Sequence, residues 1–77
     1  MSSNYENQFE QLVDTSIVIS DLIEQLFLVE EVIQRHREDG NSPGLLKQYL
    51  QRKEGFRQQL NALLSPVRME VVEREAA

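Results

Sequence analysis

The first 39 residues contain neither glycine nor proline, and then Gly40, Pro43 and Gly44 arrive within five positions. Glycine and proline interrupt regular backbone, so one sharp break divides two long uninterrupted stretches. In the first stretch apolar residues recur at helical spacing: Tyr5, Phe9, Leu12, Ile19, Ile23, Leu26 and Ile33, with Ser16 and Glu30 filling the remaining seam positions. Steps that alternate between three and four are the coiled-coil pattern, and they predict a first helix over about 4–38. The β-branched run Ile17-Val18-Ile19 favours a strand locally, but the flanking period outweighs it.

The break, residues 39–42, carries a stop signal followed at once by a start signal. Gly40 suits the left-handed conformation just past a helix end, and Arg35, His36 and Arg37 complement the negative end of the helix dipole. Ser42 is a cap residue and Pro43 fits a first helical position. A link this short folds the second helix back antiparallel to the first. The second helix is expected over about 43–64, with a seam of Leu46, Tyr49, Leu50, Lys53, Phe56, Leu60, Leu63 and Leu64. Gly55 lies inside it and reads as a point of close helix approach beside Phe56. At Ser65-Pro66 the helix kinks or breaks, and a last helical segment is expected over about 66–73. Counted together, the second and last segments have nearly as many residues as the first helix, so the two arms should run side by side along their whole length. Val67, Met69, Val71 and Val72 would then cover Phe9, Leu12 and Val13; failing that, they form a peptide-like docking motif. Ser2-Ser3 and the final residues 73–77 read as frayed ends. The expected fold is thus one domain over residues 1–77, all-α, a long antiparallel helical hairpin.

Charge is distributed unevenly between the arms. Residues 1–34 hold seven acids and no Lys or Arg, whereas residues 42–68 hold Lys47, Arg52, Lys53, Arg57 and Arg68 against the single acid Glu54. Opposite charge favours antiparallel packing of the arms, each exposed pair contributing under about 1 kcal/mol. The short link sets a register in which paired residue numbers total about 82. Ile33 then faces Tyr49, Leu26 faces Phe56, Ile19 faces Leu63, and Glu30 falls opposite Arg52 and Lys53. Glu30 and Lys53 are the charges that interrupt their respective seams, and a pair between them would fix register rather than add stability.

The first helix is apolar over more than one stripe. Leu22 and Val29 belong to a broad face with Val18, Ile19, Ile23, Leu26 and Ile33, while Ile17, Leu28 and Val32 fall on one flank and Phe27 on the other. The ordinary solution is for two hairpins to pack into a four-helix bundle; the rival is that another protein docks there. Ile17, Phe27, Leu28, Val32, Leu22 and Val29 are the expected interface residues. A 77-residue chain without cysteine has no disulfide or thiolate zinc site to staple it, which adds weight to self-association.

Chemistry is sparse. There is one histidine, His36, and no cysteine, so no nucleophile–base pair stands out and no enzyme is expected. Glu6, Glu10 and Asp14 share one helix face, which cannot by itself surround a hard cation, and they read as a solvated face. His36 is preceded at the Glu-x-x-His position by Ile33, so the di-iron motif of helical bundles is absent. No Gly-rich phosphate loop exists, and neither cofactor nor metal is expected. Thirteen acids against eight bases, a net charge of −5, argue against a general nucleic-acid binder. Asp21, Glu24, Gln25, Glu30 and Glu31 interrupt the most apolar stretch, so no membrane span is expected, and residues 1–6 lack the features of a secretory signal. The expectation is therefore a cytoplasmic, non-enzymatic adaptor or regulator that binds protein through helix faces as a homodimer. The alternatives are a structural subunit of a larger helical assembly and a nucleic-acid-associated regulator using the basic second helix.

Overall fold

Gly40 has φ +66°, and its N–H donates to the His36 carbonyl at 2.9 Å. This is the left-handed cap that ends a helix with one backbone bond, and glycine adopts it without a Cβ clash. It closes α1, Ser2–Asp39, and α2 follows as Pro43–Leu64. The computed structural model describes residues 2–40 and 43–74, with side chains for 9–40 and 43–74. The expectations for Tyr5 and Glu6 as side chains, for the Ser42 cap and for residues 75–77 lie outside these. The fold is all-α: α1 and α2 pack against each other as a hairpin, with no strand among the described residues. Ile17-Val18-Ile19 is helical throughout.

The core is small. Leu22, Val29 and Ile33 from α1 and Leu60 from α2 are buried, with Ile33 at 0% and Leu60 at 1% exposure. Half-buried Ile19, Leu26, Leu46, Tyr49, Leu50, Phe56, Leu63 and Leu64 flank them along the seam. The molecule measures 59 × 19 × 17 Å, and its radius of gyration of 16.5 Å far exceeds the roughly 11–12 Å of a rounded chain this long.

Beyond Leu64 the chain departs from the expected helix over 66–73. Ser65–Val67 form a single 3-10 turn with Pro66 near its start. Arg68 then takes φ 60°, ψ 38°, its N–H donating to the Ser65 carbonyl at 2.9 Å, while the Met69 N–H reaches the Leu64 carbonyl at 3.3 Å. These two bonds make a Schellman closure with arginine where glycine is usual. It ends the helix and reverses the chain, and residues 69–74 run back beside α2 without regular structure.

The reversal corrects the expectation of equal arms. At about 1.5 Å per residue α1 is about 57 Å long and α2 about 33 Å. With Glu30 bonded to Lys53, Leu64 stands level with Ile19, and the part of α1 before it runs on past the end of α2. Val67, Met69 and Val72 do not cover Phe9, Leu12 and Val13: all six are exposed. Gly55 is corrected as well. A Cβ built there meets nothing within 4 Å, so no close approach of the helices requires glycine.

Candidate protein-binding surface

Two features stand out on the hairpin: an uncovered apolar stripe on α1, and a polar clasp where α1, α2 and the returning segment meet.

The stripe follows from helical geometry. Residues of α1 three and four apart share a face, and Phe9, Leu12, Val13, Ser16, Ile23 and Phe27 are exposed on a stripe that runs beside and away from the line of the buried Leu22, Val29 and Ile33. Phe9 is 67% and Phe27 76% exposed. Ser16 is the polar member, and its hydroxyl donates to the Leu12 carbonyl at 2.8 Å. Covering this face would therefore leave that donor paired. A second flank presents Ile17 and Leu28, both exposed, with Val32 half-buried beside it. Where α2 ends, Leu12, Ile19, Leu63, Leu64, Pro66 and Val67 line an apolar groove.

Of the six residues expected at an interface, Ile17, Phe27 and Leu28 are thus on the surface. Leu22 and Val29 are not: at 8% and 5% exposure they belong to the core of the single chain, because they lie on the same side as Ile33, which faces α2. Phe9, Leu12 and Ile23, which the three-and-four spacing places on the internal seam, are exposed instead, as is Val13, expected under the last segment. For Phe9, Leu12 and Val13 the signal is Pro66, which stops α2 short of the region they occupy; Ile23 lies alongside α2 and has no such signal.

The clasp centres on Lys53. Its ammonium donates to Glu30 of α1 at 2.7 Å and to Glu73 of the returning segment at 2.9 Å. The structure does not bring Arg52 to Glu30: its guanidinium lies over the Tyr49 ring, 5.4 Å from the centroid, and Tyr49 stacks on His36 at 5.3 Å. Gln34 donates to the other Glu30 oxygen at 2.8 Å. One turn beyond Lys53, Arg57 binds Glu54 through both arms of its guanidinium and donates to the Val71 carbonyl at 3.3 Å. One turn further, the Asn61 amide donates to the Val71 carbonyl at 3.1 Å and accepts from the Val71 N–H at 2.6 Å. No sequence pattern singles out Asn61, Val71 or Glu73 for this arrangement; the chain reversal creates it.

These contacts shift titrations. The Lys53 bond, helped by the Gln34 amide, holds the Glu30 carboxyl below its ordinary 4.5. Burial acts most strongly on Lys53 and pushes its ammonium down, but the bonds to Glu30 and Glu73 together hold it above its ordinary 10.5. A lowered Glu30 stabilises the fold above pH 4.5, and that contribution is lost as pH falls through the folded value. A raised Lys53 stabilises below pH 10.5 and is lost as pH rises through its folded value. Glu30 is 40% exposed, so each effect is expected to stay under about 1 kcal/mol. In urea titrations the wild-type midpoint should fall at the acid end more steeply than that of Glu30→Gln. At the alkaline end it should fall more steeply than that of Lys53→Met. Parallel curves would show that the clasp carries no folding energy.

The described residues hold no group of three or more His, Asp or Glu arranged for a metal ion, and no helix among them is long and apolar enough to cross a membrane. The chain matches no protein-family model, and neither a curated protein nor a solved structure shows significant similarity to it.

Proposed function

We propose that this chain is a small protein-binding adaptor or regulator that works through its helix faces as a homodimer, without catalysis. The observation that carries the reading is the imbalance on α1. Its core-facing side contributes three buried residues, whereas Phe9, Leu12, Val13, Ile17, Ile23, Phe27 and Leu28 remain exposed around the rest of the helix. A contiguous apolar surface on so small a chain marks an interaction site. The stretch of α1 beyond α2 also offers the length that a second hairpin needs to complete a four-helix arrangement. The bases of α2 support a protein rather than a nucleic-acid partner, since Lys53 and Arg57 are engaged by Glu30, Glu73 and Glu54 and Arg52 lies over Tyr49.

The test is molar mass by light scattering across a wide concentration range. A mass near twice 9.0 kDa is expected for the wild type, and a mass near 9.0 kDa for Phe27→Glu combined with Leu12→Glu. A wild-type monomer at all concentrations would overturn the homodimer.

A further inference from the structure

Lys53, Arg57 and Asn61 are four residues apart and stand in one row along α2. Their contacts to the returning segment are those of a peptide reader. The Asn61 amide satisfies both backbone groups of Val71, N–H at 2.6 Å and carbonyl at 3.1 Å, as a facing residue in an antiparallel ladder would. Arg57 adds a second donor to the same carbonyl at 3.3 Å. None of these three bonds depends on the side chain at position 71. Selectivity enters two residues later, where Lys53 meets the Glu73 carboxylate at 2.9 Å. Beside the row, Leu26 and Phe27 of α1 and Val71 and Val72 of the segment line a groove of about 400 Å3 that stays open.

The chain's own segment fills this row loosely. Val72 is 70% exposed, Glu73 is largely exposed, and the turn that delivers the segment holds Arg68 in a left-handed conformation that disfavours any residue with a Cβ. We infer that the Lys53–Arg57–Asn61 row is a docking site for an extended acidic peptide of another protein, with an acid two residues after the backbone-paired position, and that Val71–Glu73 occupy it as an intramolecular competitor. The inference names a kind of partner for the protein-binding reading above. It is carried by the contacts of the returning segment, and shares only Phe27 with the apolar stripe.

The probe is a fluorescein-labelled peptide with the sequence of residues 67–75, titrated against the full chain and followed by anisotropy. Val71→Pro with Glu73→Lys removes the N–H that Asn61 accepts and sets a second cation against Lys53, which frees the row without altering it. This released variant should bind the peptide at least about tenfold more tightly than the wild type, because no tethered competitor remains. Adding Asn61→Ala should weaken binding about tenfold. Lys53→Gln supplies a second measurement that does not depend on Asn61. A peptide with glutamine in place of the glutamate corresponding to Glu73 should bind several-fold more weakly to the released variant, and that difference should vanish in released Lys53→Gln. Equal affinity of wild type and released variant, no binding by the released variant, or indifference to both row substitutions would each overturn the proposal. Light scattering on the same samples reports separately on the dimer, so failure of one reading leaves the other measured.

Discussion

Ile33→Ala and Leu60→Ala should each unfold most of the hairpin at room temperature. These are the two side chains with essentially no solvent exposure, one from each helix. Truncating a buried Leu or Ile to Ala removes about 2–5 kcal/mol, through lost transfer energy and the cavity left behind. A domain of this size holds only a few kcal/mol in total, so one such loss consumes most of it. Collapse around the cavity offers little remedy in so thin a structure, because two helices give the vacated space walls on few sides. The measurement is helicity by circular dichroism in a urea titration. Leu45→Ala, at a position 43% exposed, should move the midpoint little and serves as the control. Wild-type midpoints for both core variants would mean that the hairpin seam is not where the stability lies.

The second large effect is a dependence of stability on concentration. If two copies bury the α1 stripe, folding and association are linked, and each tenfold rise in concentration stabilises the dimer by about 1.4 kcal/mol. Over a hundredfold range that is about 2.8 kcal/mol, comparable with a core truncation. The thermal midpoint should therefore climb steadily with concentration. Phe27→Glu, which places a carboxylate on the stripe and disturbs no buried residue, should lower the midpoint and flatten its dependence on concentration. A concentration-independent wild-type midpoint would show that the four buried side chains suffice for a folded monomer.

How far these features were legible in the sequence depends on the range over which each is decided. The hairpin is a local matter. Gly40 and Pro43 frame the turn, and the three-and-four spacing before and after it makes helix the consistent reading of both arms. Glu30 and Lys53, the two charges that interrupt the seams, meet at 2.7 Å, as the register set by a short link between two helices predicts. The returning segment is different. Residues 66–73 follow a cap-like Ser65, begin with Pro66 and hold no breaker after it, so their local signals allow a helix. What defeats it is the closure at Arg68, together with the hold of Asn61 on a backbone ten residues away in sequence. Those contacts exist only once α2 is formed, and no spacing rule announces them. A helix over 66–73 would extend the second arm and cover Phe9, Leu12 and Val13; with the chain reversed at Arg68 all three are exposed. Leu22 and Val29 illustrate a narrower limit. A broad apolar face shows that part of it is buried, but which part turns inward depends on the rotation of α1 about its axis, and that is fixed by α2.

The reversal that begins the returning segment turns on one residue. Both bonds of the closure are between backbone groups, and the reversal rests on Arg68 holding φ at 60° rather than on the negative side that arginine favours. Rotation about that one N–Cα bond swings everything from Met69 to Arg74 as an arm, off α2 and round toward a different side of the hairpin. The molecule is in this sense jointed: two rods set its length, and a single torsion aims its last described residues.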